Sequence, residues 1–270
     1  MLPRTYLFVP GSRPERFAKA LASGADAVVL DLEDAVGPEH KAAAREALAG
    51  FVQSAEPAVL ARLVVRINDE ATPWFVDDLQ CLGALPAVAL MLPKAERVDT
   101  LQRLQAHCPG RPVLALVETA RGVLAAEALA ACPPVVRLVF GTLDYALDLD
   151  LSGDALGLDP AASRLALASR AADLPPPVAG VTPDIDDEAQ LLDDLARARA
   201  HGFGAKLCIH PKQVPPIHAA LRPTAAELDW ARRVLAAAGA AQGAVQLDGR
   251  MIDRPVVERA RRLLERAAAG

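Results

Sequence analysis

Carboxylates and one arginine stand at the ends of short apolar runs, where side chains can converge on a substrate. Glu118 closes the run Val113–Val117, and Asp144 stands shortly after the run Val135–Phe140. As neighbours in a parallel sheet, these runs set the two carboxylates about 5 Å apart at the backbone, close enough to clamp one cation. Oxygen donors with no nearby histidine or cysteine suit a hard ion such as Mg2+, which keeps several waters and takes its remaining ligands from a substrate. Taken singly, Glu118 could instead cap the following helix and Asp144 could pair with an arginine; their adjacency favours the metal.

Arg66, led in by Leu63-Val64-Val65, carries the forked donors that bind a carboxylate by two hydrogen bonds. Glu33 and Asp34 are its alternative partners, and five donors can serve both purposes. In Asp31-Leu32-Glu33-Asp34, strand alternation sends Asp31 and Glu33 to one face. These acids are expected to orient Arg66 or a metal-bound water, with Arg66, Gly141 and Asp144 meeting the substrate. Lys94 is one of only five lysines and offers a different chemistry, a Schiff base with a carbonyl substrate. His210 before Pro211 reads as a structural histidine more readily than a catalytic one. The turn Pro10-Gly11-Ser12-Arg13-Pro14 opens a helix with proline and is expected to leave backbone N–H groups free for an anion.

Elements that could position these groups are legible as eight strand-length apolar runs: Thr5–Val9, Ala27–Leu32, Leu63–Asn68, Ala87–Leu92, Val113–Val117, Val135–Phe140, Val178–Val181 and Ala205–His210. Helical periodicity or helix-start signals fill the segments Pro14–Ala22, Glu39–Val52, Pro73–Leu82, Arg97–His107, Arg121–Ala130, Pro160–Ala171, Asp187–His201 and Lys212–Leu221. Eight strands, each followed by a helix, predict an α/β fold of the (β/α)8 TIM-barrel type over residues 1–222. Active sites of such barrels lie at the C-terminal ends of the strands, where the charged residues above fall. Residues 223–270 form a C-terminal helical extension. Asp248-Gly249 within it signals a hairpin that places Met251, Ile252 and Asp253 on the returning strand. A tail of this kind can reach a neighbouring subunit or cap a site, and residues 223–270 are expected to cap a neighbouring subunit's active site if both hold.

Composition removes several classes. With 270 residues, 52% hydrophobic and 23% charged, the chain can bury a large core and is not disordered. A net charge of −5 with scattered basic residues argues against nucleic-acid or anionic-membrane binding. The most apolar stretch, Cys81–Pro93, is interrupted by Pro86 and falls short of the ~20 residues that a membrane span needs. No secretory leader pattern opens the sequence, and the expected location is the cytoplasm. Cys81, Cys108, Cys132 and Cys208 lie far apart and read as small core residues rather than disulfide or zinc partners.

Leu7-Phe8-Val9-Pro10-Gly11, Asp31-Leu32-Glu33-Asp34-Ala35-Val36, Val65-Arg66-Ile67-Asn68, Leu92-Pro93-Lys94, Glu118-Thr119-Ala120, Phe140-Gly141-Thr142-Leu143-Asp144, Ile209-His210-Pro211 and Met251-Ile252-Asp253 occur in this order. In these motifs the chain resembles the citrate lyase beta-subunit-like proteins, relatives of malyl-CoA lyases among the metal-dependent 2-oxo-acid aldolases. The resemblance implies a (β/α)8 barrel and Mg2+ held by Glu118 and Asp144. It implies Arg66 on the 2-oxo acid or the thioester, and Asp253 as an acid/base delivered to an adjacent subunit's site, usually within a homotrimer. The activity implied is cleavage or formation of a 3-hydroxyacyl-CoA such as citryl-CoA or malyl-CoA, with a 2-oxo acid such as oxaloacetate and an acyl-CoA as its small-molecule partners. A Schiff-base aldolase using Lys94, and a partner-dependent or non-catalytic subunit that binds a CoA thioester or 2-oxo acid, are the competing readings.

Overall fold

The computed structural model describes residues 2–153, 155–239 and 245–268. They divide into two compact units, residues 3–217 and residues 218–268 with Leu2. In the first, eight parallel strands close into a barrel in sequence order: β1 Thr5–Pro10, β2 Ala27–Asp31, β3 Leu63–Arg66, β4 Ala89–Leu92, β5 Val113–Val117, β6 Val135–Phe140, β7 Val178–Ala179 and β8 Ala205–Cys208. The helices are α1 Phe17–Leu21, α2 Lys41–Ser54, α3 Pro57–Leu60, α4 Trp74–Gly83, α5 Val98–His107, α6 Ala120–Ala130, α7 Thr142–Asp148, α8 Asp159–Ala171, α9 Glu188–Ala200 and α10 Val214–Leu221. All eight expected strands are present. β3, β7 and β8 stop two residues earlier than the sequence predicts, and the short helices α3 and α7 were not anticipated. β7 stops at Gly180, which packs against Thr142 and the Phe140 carbonyl so closely that no side chain fits there.

Period-two alternation decides what enters the barrel. Tyr6, Ala27, Val29, Val64, Met91, Leu114, Leu116, Val139, Val178, Ala205 and Leu207 fill the interior. Continuing the same alternation beyond Val29, Val64, Leu116 and Val139 brings Asp31, Arg66, Glu118 and Gly141 to the inner face at the C-terminal end. One rule therefore makes both the core and the polar mouth. At the opposite end Arg137 lies inside the barrel, donating to the carbonyls of Pro176 (2.8 Å) and Pro3 (2.7 Å) and to the Tyr6 hydroxyl (3.1 Å). Arg62 and Arg111 donate to carbonyls at the ends of α1 and α4, Arg62 to Leu21 and Arg111 to Leu82, where unpaired C=O groups collect.

A buried network ties the loops after β2 and β3 to the helices outside them. Lys41 Nζ donates to the carbonyls of Leu32 (2.7 Å) and Glu33 (2.8 Å) and to Asn68 Oδ1 (2.7 Å). Asn68 donates its backbone N–H (2.8 Å) and its side-chain amide (2.7 Å) to Asp78 Oδ2, and Arg45 holds Asp78 Oδ1 at 3.1 Å.

The second unit contains α11 Ala225–Gly239, a hairpin of β9 Val245–Leu247 and β10 Arg250–Ile252, and α12 Arg254–Ala268. Asp248 and Gly249 turn the hairpin with φ of +50° and +75°, the pair of positive angles that a two-residue turn of this type requires. Ala231 and Val234 of α11 pack with Ile252 of β10 and with Ala260 and Leu263 of α12. Among the described residues no helix is long and apolar enough to cross a membrane.

Removing Asp78 strands both Asn68 donors in the interior and takes from Arg45 the buried one of its two carboxylate partners. Asp78→Ala should cost about 3 kcal/mol in urea unfolding; a loss below about 1 kcal/mol would mean that the network does not hold these loops.

Candidate active site

At the C-terminal mouth of the barrel a cavity of about 330 Å3 is lined by Phe8, Asp31, Asp34, Arg66, Glu118, Val181 and the segment Gly141–Asp144, with several apolar neighbours. It brings together Arg66, Glu118, Gly141 and Asp144. Asp253 belongs to the C-terminal unit and is not among the lining residues; it is exposed, and its carboxylate accepts the Val256 N–H at the start of α12 (3.2 Å).

Glu118 is 3% exposed at the end of β5. The alternative of a helix cap fails, because Thr119 does that work, its hydroxyl accepting the Gly122 N–H at 3.1 Å. Glu118 Oε1 instead accepts the Lys94 N–H at 2.8 Å. A Cβ on Gly141 would collide with the Glu118 side chain, so the glycine is what allows the carboxylate its position. Burial, then the charges of Glu33 and Asp144, push Glu118 up to about 8 against the pull of the Lys94 amide and Arg66. Asp144, half-buried in the first turn of α7, takes no hydrogen bond or ion pair from any described residue.

Arg66 is gripped from several sides. Asp31 receives its Nε and Nη2 at 2.7 Å each, Asp34 receives Nη1 at 3.3 Å, and the guanidinium lies 4.9 Å from the centre of the Phe8 ring. Burial alone would lower its pKa, but Asp31, Glu33 and Asp34 outweigh burial and hold it above the ordinary arginine value. Asp31 is fixed in turn by the amides of Glu33 (2.9 Å) and Ala35 (3.1 Å). Glu33 Oε2 stands 2.8 Å from Arg66 Nη1, yet no N–H is directed at it, so this buried oxygen has proximity without a hydrogen bond. Burial is the largest influence on Glu33 and, with help from Asp34 and Asp31 and against Arg66, pushes it up to about 7.

Lys94 has a left-handed backbone, φ +42°, and its Nζ lies 3.7 Å from both Glu33 and Asp69. Burial would lower its pKa, but Glu33, Asp69 and Glu118 together raise it. A Schiff-base lysine needs the neutral amine, and this setting favours the ammonium. His210 caps the turn after β8, its Nδ1 accepting the Lys212 N–H while Gln213 accepts back from His210, which is a structural role. The expected anion-binding turn is largely spent: Gly11 N–H goes to the Asp31 carbonyl and Arg13 N–H to that of Pro10. Lys41, which fixes the carbonyls around Glu33, was not singled out from sequence; its signal is a lone lysine opening an alanine-rich helix.

The donor set fits a hard divalent cation. No cluster of three or more His, Cys, Asp or Glu side chains suited to a metal exists among the described residues. Two carboxylates, one of them without a protein partner, suit an ion that completes its shell with water and substrate. The orphaned Glu33 oxygen and the high pKa of Glu118 mark a mouth with more negative charge than Arg66 and Lys94 neutralise.

Residues 4–211 match the HpcH/HpaI aldolase/citrate lyase family, and residues 170–269 match the C–C bond lyases of the TIM-barrel fold. The chain is 34% identical to a (3S)-malyl-CoA thioesterase of Cereibacter sphaeroides, over 98% of this chain and 95% of that one. Among solved structures it is similar to the protein CitE of Mycobacterium tuberculosis in complex with magnesium, acetoacetate and coenzyme A, with a TM-score of 0.88, 40% identity and 98% of each chain covered. A citrate lyase beta subunit from the same organism, complexed with oxaloacetate and magnesium, gives a TM-score of 0.73 at 38% identity, over 82% of this chain and 97% of that one.

In metal-free protein the folded values of Glu118 and Glu33, about 8 and about 7, lie above the ordinary 4.5. The folded state then binds more protons than the unfolded chain, so stability falls as pH rises through this window. Melting in chelator should show the midpoint dropping from about pH 5 to about pH 7, on the order of 1 kcal/mol per pH unit for each carboxyl. Glu118→Gln should flatten the slope, and a wild-type midpoint that holds level would contradict the charge balance described.

Proposed function

The chain belongs to the HpcH/HpaI aldolase/citrate lyase family, and from that premise we propose that it is a Mg2+-dependent carbon–carbon lyase. Its substrate is a 3-hydroxyacyl-CoA such as citryl-CoA or malyl-CoA, cleaved to, or formed from, a 2-oxo acid and an acyl-CoA. The observation that carries this reading is the convergence of Glu118, Asp144 and Arg66 on one cavity. Glu118 and Asp144 would hold Mg2+, which when bound supplies Lewis-acid polarisation of the substrate hydroxyl that becomes the carbonyl.

On this reading the protein's own residues do the following. The bond between the hydroxyl-bearing carbon and the acyl α-carbon breaks, the hydroxyl gives its proton to solvent water, and the electron pair passes to the α-carbon and the thioester oxygen. Arg66, held in place by Asp31, donates a hydrogen bond to that oxygen or to the oxo-acid carboxylate. Asp31, Glu33 and Asp34 fix the guanidinium so that little reorganisation is needed as charge develops. Gly141 lets Glu118 and the substrate approach each other. Asp253, from the C-terminal unit of a neighbouring chain in a homotrimer, delivers the proton to the α-carbon.

The thioesterase relative motivates a second reading, hydrolysis of the thioester in the same cavity. Incubation with (3S)-malyl-CoA and Mg2+ separates the two. A lyase releases glyoxylate and acetyl-CoA with no free thiol, whereas a thioesterase releases malate and a thiol titratable with a disulfide reagent. We expect glyoxylate, its formation falling about 100-fold or more in Glu118→Gln or with chelator. Loss of no more than a few-fold would remove Glu118 from the metal site. Mixing Asp253→Asn with Glu118→Gln protein should restore part of the activity that each lacks alone, since a mixed trimer pairs an intact mouth with an intact Asp253; no recovery after subunit exchange would overturn delivery between chains.

A further inference from the structure

Lys206 is a buried cation that the mouth does not use. It lies in β8 between Ala205 and Leu207, which face the barrel interior, so its side chain points outward into the layer between sheet and helices. The residue is 2% exposed. Its Nζ donates one hydrogen bond, to the Gly180 carbonyl at 2.8 Å, and the described residues supply no acceptor for its other two N–H groups. Asp194 acts on it only through space, with Asp194 Oδ2 already accepting the Thr182 hydroxyl at 2.5 Å. An ammonium in this state is costly to bury and gains strongly from an added anionic acceptor.

Lys206 also lines a second cavity, of about 320 Å3, bordered by residues of β6, β7 and α7–α9 and sharing Thr142, Leu143 and Val181 with the lining of the mouth. Phe140, Ala162, Ala179 and Phe203 make most of its interior apolar. Of its other charged lining groups, Asp159 holds Arg197 by two bonds (2.9 and 2.8 Å) and His201 at 2.9 Å, while Asp194 accepts the Thr182 hydroxyl. The cavity thus combines an oily wall with one under-used ammonium among its described lining residues, and its volume sits at the small end of the range of about 300–1,000 Å3 for ligand sites.

We propose that this cavity is a second ligand site, for a short aliphatic monocarboxylate whose carboxylate meets Lys206 Nζ and whose chain lies along Phe140, Ala162 and Phe203. Burial lowers Lys206 to about 8, which leaves it charged at neutral pH. The site needs neither a metal nor Arg66, so it stands or falls independently of the lyase reading.

Calorimetric titration of hexanoate into the full chain, with chelator present, tests it. Saturable one-to-one binding is expected, weakened about tenfold or more in Lys206→Met and similarly for neutral hexanamide, since the pairing of carboxylate with ammonium is lost in each case. Ala198→Leu, which narrows the cavity without touching the lysine, should also weaken binding and serves if Lys206→Met does not fold. Excess oxaloacetate should not displace hexanoate. The proposal fails if hexanoate shows no saturable binding, if hexanamide binds as tightly, if Lys206→Met or Ala198→Leu binds it unchanged, or if oxaloacetate competes.

Discussion

Arg66 carries a permanent charge to a place with little water, and the mouth of the barrel is organised around keeping it there. Asp31 takes two of its donors in a planar fork, which fixes the guanidinium in angle as well as position. Once Asp31 is committed to Arg66, the remaining acids around the mouth exceed the positive charge available to them. Glu33 and Glu118 bear the consequence, each driven upward mainly by burial and then by neighbouring carboxylates. The excess of negative charge is therefore a result of how the arginine is buried, and it makes the same cavity a place where a cation belongs.

Rigidity comes from groups that never reach the cavity. Lys41 binds the carbonyls of Leu32 and Glu33, so the loop that bears Glu33 and Asp34 is pinned by its backbone rather than by the acids themselves. Asn68 and Asp78 extend that support to α2 and α4 through Arg45. The carboxylates stay free to meet Arg66 and whatever enters the mouth. Arg137, at the far end, closes the barrel with carbonyls from distant segments of the chain. Polar side chains thus seal one end of the core and build chemistry at the other, with an apolar filling between them.

The alternation that made the strands legible also made most of the mouth legible. Val64 predicts that Arg66 faces inward, and Leu116 predicts the same of Glu118, because the period of a strand does not change at its end. What sequence could not supply was tertiary. α7 is seven residues long, too short to show a helical period, although it carries Asp144. The mouth turn at Gly11 looked open because the Asp31 carbonyl that occupies its amide comes from another strand. Lys41 and Lys206 have opposite surroundings, one fully bonded and one under-bonded, and nothing in the adjacent residues distinguishes them. A lysine within the apolar run Ala205-Lys206-Leu207-Cys208 was nonetheless a visible anomaly, since lysine is almost never fully buried without a partner.

Carbon–carbon cleavage and thioester hydrolysis make nearly identical demands on this mouth. Both need the head of the substrate held, and both gather negative charge on the thioester oxygen, which on the proposed reading Arg66 meets. They differ over the atoms beside it: cleavage leaves an electron pair on the α-carbon that must find a proton, whereas hydrolysis needs a water at the thioester carbon. Within the barrel's own cavity Asp31 and Asp34 are bound to Arg66, Glu118 is pushed up to about 8 mainly by burial, and Asp144 is, on the proposed reading, taken by the cation. Asp253 is an exposed carboxylate that is not among the cavity's lining residues, and it accepts the Val256 N–H at the start of α12. On the proposed reading, the choice between the two reactions rests on whether that carboxylate or a water stands over the α-carbon. On that reading, selection for one chemistry would act on the C-terminal unit while leaving the barrel unchanged.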